Sequence, residues 1–166
     1  MKSKIFFLLV VLLAGCNRYA RYPLTMSKES YQGNQLNING MYIKKDSIGT
    51  SHMFLYRNGF VRKSTGLDID NKTTQQIEEY FKLRKSTDCC NDVVYGWGLF
   101  KVENQNITVE TWVTGEMFDK YQTRTFHGKI LNDTTFVLKG FSTDGFDTFR
   151  FIPLSIKPDS TNLFIK

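Results

Sequence analysis

Histidine and cysteine are scarce in this chain, and their scarcity removes most metal and nucleophilic chemistry from consideration. The two histidines, His52 and His127, fall in separate strand-like segments with no second histidine at ligand spacing. A metal needs three or four converging ligands, and a lone strand histidine is ordinarily a surface or hydrogen-bonded residue. The sequence also lacks a Gly-x-Ser-x-Gly elbow, a His-Glu-x-x-His helix and a glycine-rich phosphate loop. Glu110, Glu116 and Asp119 lie close together but face no base, so they read as solvated charges. The expectation is therefore a non-enzymatic protein with no catalytic residue, no metal and no cofactor. Dense basic runs are missing too. The formal charge of +6 is spread along the chain, which excludes nucleic acid as an expected partner.

Long apolar runs are absent except at the start, where Ile5 to Ala14 follows Lys2 and Lys4. Ten helical residues cover roughly 15 Å against about 30 Å of hydrocarbon, too short for a span, so the run reads as a targeting segment. Leu13, Ala14, Gly15 and Cys16 follow. This Leu-Ala-Gly-Cys resembles the lipobox of bacterial lipoproteins. The resemblance implies that residues 1–15 are a signal peptide cut before Cys16, and that Cys16 carries lipid on its thiol. It also implies a chain held in the cell envelope, and Asn17 in place of an aspartate points to the outer membrane, on its periplasmic face. Loss of residues 1–15 leaves 151 of the 166 residues and, without Lys2 and Lys4, lowers the charge from +6 to +4. That is enough for one domain with a sizeable core.

Cys89 and Cys90 are then the remaining cysteines, and they are neighbours. Export places them where disulfides form. Three readings stand: a strained vicinal disulfide, two free or partly buried thiols, or a redox or metal site, the last without a Cys-x-x-Cys to support it.

Residues 16–36 are polar, hold Pro23 and Gly33, and show no sustained period, so they read as the lipidated cysteine and a tether; residues 37–166 form the domain. Within it, short apolar runs alternate with turn signals. Asn58-Gly59 separates two strand-like runs and predicts a hairpin. Five consecutive runs near the C-terminus are joined by short polar turns, which favour antiparallel neighbours. One segment breaks the rhythm: with Asp70 or Asn71 as cap and Ile77, Tyr80 and Phe81 at helical spacing, a helix is expected over 72–85. The count from Met41 to Leu154 is eight strands, and closure into an up-and-down barrel would remove exposed edges. The layout, with "WGLFKVENQNITVETW" at its centre, resembles lipocalin-like barrels, although a helix between the third and fourth strands departs from the usual helix after the last.

A barrel of this kind implies a binding module for a small amphipathic or apolar ligand. Trp112, Arg124 and Arg150 are the candidate ligand residues, the two guanidinium groups being suited to a carboxylate if their faces point inward. The other reading is a filled barrel that contacts another envelope protein. The membrane is a partner in both. The anchoring expectation has a direct check: globomycin, which blocks lipoprotein signal cleavage, should make a larger precursor accumulate in the native host, and unchanged mobility would contradict it.

Overall fold

The computed structural model describes residues 21–46, 49–65, 72–85, 94–114, 120–140, 145–158 and 160–165. Alternation of side chains gives eight strands: β1 Gly40–Asp46, β2 Gly49–Leu55, β3 Phe60–Thr65, β4 Trp97–Glu103, β5 Asn106–Val113, β6 Gln122–Asn132, β7 Thr135–Lys139 and β8 Phe146–Pro153. Each strand pairs antiparallel with its sequence neighbours, and β8 returns to β1, closing the sheet. Among the described residues one helix, α1 at Thr74–Lys85, lies between β3 and β4. The protein is thus a mainly β, closed, eight-stranded antiparallel barrel, as the spacing of runs and turns predicts.

Local chemistry differs from expectation at two places. The helix is capped by Thr73: its hydroxyl accepts from the Gln76 amide at 3.3 Å while the Gln76 side chain accepts from the Thr73 amide at 2.9 Å. This reciprocal pair is a capping box, which satisfies two amides at once; Asp70 and Asn71 lie outside the described residues. In the β2–β3 hairpin only Gly59 takes positive φ, at 81°. The Gly59 amide bonds the Tyr56 carbonyl at 3.0 Å, giving a type I turn closed by a left-handed glycine in place of a two-residue turn with both residues left-handed.

The register sends one set of side chains inward from every strand. Tyr42, Met53, Leu55, Val61, Phe100, Val109, Phe126, Phe136 and Phe149 are buried there. Phe136 and Phe149 stack at 5.1 Å, and Tyr42 packs on Phe136 at 4.8 Å and Phe151 at 5.3 Å. Side chains fill this half of the interior, as the narrow bore of eight strands permits. Residues 31–38 close its end: Tyr31, Leu36 and Ile38 join the same apolar cluster. The Tyr31 amide bonds the Arg57 carbonyl and the Asn37 amide the Asp133 carbonyl, each at 2.8 Å. The short turns at 56–59, 104–105 and 133–134 all lie at this end, here termed the turn end. The opposite end, here termed the loop end, holds the last residues of β1, β3, β5 and β7 and the first of β2, β4, β6 and β8; residues 47–48, 66–71, 86–93, 115–119 and 141–144 fall outside the described residues.

A second core lies outside the barrel. Met41, Phe54, Tyr56, Phe60, Trp97, Leu99 and Trp112 project outward and are covered by Ile77 and Phe81 of α1, by Leu24 and Met26, and by Phe164 and Ile165. Phe81 meets Phe54 edge-on at 5.2 Å. This coat explains why β4 and β5 are apolar on both faces: each buries one face in the barrel and the other under a covering segment.

Residues 21–36, read from composition as tether, are seated along the wall. The carboxylate of Glu110, fully buried on the outer face of β5, accepts from the Thr25 amide at 2.9 Å to each oxygen, from the Thr25 hydroxyl at 2.9 Å and from the Met26 amide at 2.8 Å. Trp112 Nε1 donates to the Tyr22 carbonyl at 2.8 Å, and the Tyr22 amide donates to the Tyr121 carbonyl at 2.9 Å. Gly98 allows β4 to approach this point, since a Cβ there would stand 1.8 Å from the Glu110 carbonyl oxygen. Glu110 is therefore a buried strap anchor and not a solvated charge. Bonds to a buried carboxylate contribute about 1.5–3 kcal/mol each, and donors left without an acceptor add a further penalty. Glu110→Ala should destabilise the protein by about 3 kcal/mol and raise tryptic cleavage after Lys28 at least tenfold; an unchanged denaturation midpoint and digest would refute the anchoring role.

Candidate binding cleft where β1 and β8 part

The site lies where the shared register of β1 and β8 ends. Among the described residues that register runs from Gly40↔Pro153 to Ile43↔Arg150. Toward the loop end the two strands keep their other neighbours, β2 and β7, and a cleft of about 420 Å³ lies between them. Its walls are Ile43, Lys44, Lys45, Phe146, Asp147, Thr148 and Arg150.

Charge and apolar surface are sorted within it. Lys44 and Asp147, both on the inward-facing side of their strands, form a buried ion pair at 2.9 Å. Arg150 and Lys45 are exposed on the outward side, and Phe146, 65% exposed, supplies an aromatic wall. The described walls thus bring three cations to one carboxylate. Behind the ion pair the interior continues positive: burial first, then Lys44 and Arg124, pushes the Lys63 ammonium down to about 8, and Asp147 offsets part of this. Arg124 packs on Phe126 at 5.8 Å and pairs in register with Thr111, whose buried hydroxyl has no hydrogen-bond partner among the described residues. The barrel interior is therefore apolar at the turn end and cationic at the loop end. A carboxylate or phosphate suits such walls, because exposed guanidinium and ammonium groups supply donors while Phe146 and Ile43 accept an adjoining alkyl group.

The three candidate ligand residues separate. Arg150 lines the cleft, although it points outward. Arg124 shares the inward face with Phe126 and is not among the residues lining the cleft, although its charge reaches Lys63. Trp112 faces outward into the second core, 2% exposed, where its ring nitrogen holds the strap. Thr111 and Trp112 are adjacent on β5, and strand parity sends them to opposite faces. Lys44, Lys63 and Asp147 went unassigned, yet parity marks them: Lys44 shares a face with Tyr42, Lys63 with Val61, and Asp147 with Phe149. Cys16, Cys89 and Cys90 lie outside the described residues.

Of the histidines, His127 is exposed beside the Thr108 hydroxyl at 3.3 Å. His52 is buried, 1% exposed, against Phe54 at 5.9 Å, with its Nδ1 unpartnered among the described residues. Among the described residues no group of three or more His, Cys, Asp or Glu side chains is placed to hold a metal, and no helix is long and apolar enough to cross a membrane. No protein-family model, curated protein or solved structure matches the chain.

Burial, with a smaller contribution from Arg62, pushes the His52 imidazole down to about 4 from its ordinary 6.5. Between these values the unfolded chain binds a proton that the folded protein refuses, so stability falls as pH drops from 6.5 toward 4 and is untouched by this group above 6.5. The loss attributable to His52 at pH 5 is about 2 kcal/mol. Urea denaturation at pH 7.5 and pH 5 should show it, and His52→Leu should remove that part of the difference. An equal acid loss in the variant would contradict the assignment.

Proposed function

We propose that this chain is a lipid-anchored protein of the cell envelope, tied to the membrane through Cys16, that binds the acidic head of a small amphipathic molecule without transforming it. The parting of β1 and β8 is the observation that carries the reading: a cleft of about 420 Å³ with Lys45 and Arg150 exposed above a buried Lys44–Asp147 pair, and Phe146 beside them. A wholly apolar ligand fits less well, because aromatic side chains occupy the apolar half of the bore. The lipobox residues Leu13 to Cys16 support the anchoring, and the outer membrane is the expected address.

The filled half of the barrel also favours a second reading, a packed lipoprotein that contacts another envelope protein through an exposed apolar residue such as Leu131, 60% exposed on β6. Titration calorimetry separates the two. Dodecanoate and dodecyl phosphate should bind the wild-type protein, and Arg150→Gln together with Lys45→Gln should weaken binding at least tenfold. Lys129→Gln, an exposed change toward the turn end, should leave it unaltered. Absence of heat with either amphiphile, or equal loss in all variants, would overturn the cleft as the site and leave the protein-contact reading.

A further inference from the structure

The strap has a direction, and that direction fixes which end of the barrel the anchored residue can approach. From Tyr31 at the turn end the chain runs backward along the wall, past Lys28 over the Phe60 ring at 5.1 Å and Thr25 on Glu110, to Tyr22 and Arg21 beside Tyr121. Tyr121 immediately precedes β6 at the loop end. Arg21 is held there over Phe164 at 4.3 Å and over Trp112 at 5.6 Å. Cys16 precedes Arg21 by five positions. Five residues reach at most about 18 Å, whereas eight residues of a tilted strand such as β5 stand roughly 20 Å tall. A lipid on Cys16 therefore reaches the bilayer from the loop end, and the same tether is too short to carry the chain around so that the turn end faces the lipid.

The rim on that side has the chemistry of a membrane interface. Tyr22, 49% exposed, and Phe146, 65% exposed, stand at the loop ends of β6 and β8. Exposed Lys120, Lys139 and Lys45 lie along the same arc, at the β6, β7 and β1 ends. Exposed aromatics between lysines suit the headgroup layer, where rings enter the boundary and ammonium groups stay wet. The ends of β1 and β8 beyond their shared register lie on this rim, so the cleft between them lies where lipid and protein would meet.

We propose that the loop end of the barrel seats on the membrane that holds Cys16, with Tyr22 and Phe146 entering the headgroup layer and the β1–β8 cleft opening at the lipid surface. The ligand class is thereby narrowed to acidic amphiphiles taken directly from the bilayer. The inference rests on the lipid-anchor reading. It does not rest on attraction to anionic lipid: in sequence, residues 66–71, 86–93, 115–119 and 141–144 carry aspartate and glutamate and no lysine or arginine. Ring insertion and tether length carry the contact, so zwitterionic lipid should suffice.

The test is photolabelling of the full lipidated protein in phosphatidylcholine vesicles containing a lipid with a carbene-forming diazirine near its headgroup. Adducts should map to the peptides holding Tyr22 and Phe146 and should persist in high salt. The peptide holding Leu131, an exposed apolar residue near the turn end, should stay unlabelled. Phe146→Asp should reduce the adducts on the Tyr22 peptide at least fivefold without altering the fold by circular dichroism. Labelling of the Leu131 peptide equal to that of the rim, or rim labelling lost in high salt, would overturn the proposal while leaving the anchor intact. Weighing the Cys16 peptide in the same digest keeps the two failures apart: a Cys16 without lipid would remove the anchor and this inference together.

Discussion

A single buried carboxylate joins parts of the chain that local sequence cannot. Glu110 lies on the outer face of a strand that is buried on both sides, and among the described residues its carboxylate accepts from amides and a hydroxyl 84 and 85 residues earlier. An ionised group at such a depth is tolerable when its lone pairs are met by good donors, and costly when they are not. Strap and barrel wall therefore form together. Without the strap, the outer face of β5 would expose Trp112 as well as the unsatisfied carboxylate. Without Glu110, two amides of the strap would lose their acceptor.

That dependence shapes the rest of the molecule. The strap, α1 and the C-terminal residues Phe164 and Ile165 make the second core, so the barrel wall is sandwiched on part of its circumference and bare on the rest. The covered part spans β1 to β5. The bare part includes most of β6, β7 and β8, where outward residues such as Thr125, His127, Thr148 and Arg150 are exposed. The β1–β8 seam marks the boundary between the two. There one strand follows the packed wall, the other the solvated wall, and the last residues of the pair separate. At that seam the Lys44–Asp147 pair bridges the floor of the cleft, past the last shared register pair of the two strands.

Much of the architecture was readable from period and punctuation. Ile107, Val109 and Thr111 alternate with Thr108, Glu110 and Trp112, and this parity alone sets the inward and outward faces of β5. Short polar turns signalled antiparallel neighbours, and an even strand count signalled closure. The readings that failed depended on contacts distant in sequence. Residues 21–36 have no period because their main-chain donors find a carboxylate on β5 and the carbonyls of Tyr121 and Arg57, none of them local. Trp112, a candidate ligand residue from the sequence, shares its parity with Glu110, and that parity places it away from the bore. Arg150 reached a cavity for a reason its sequence does not hold, the parting of two strands.

The central claim is that the strap is part of the folded core, held on Glu110 and fixed at Arg21 and Tyr22 beside Tyr121. Native-state amide hydrogen exchange addresses it directly at the two donors to Glu110. The account predicts that the Thr25 and Met26 amides exchange only with global unfolding, as slowly as the central amides of β5. Exchange of those two amides at the rate of an unstructured peptide, with β5 still protected, would contradict it.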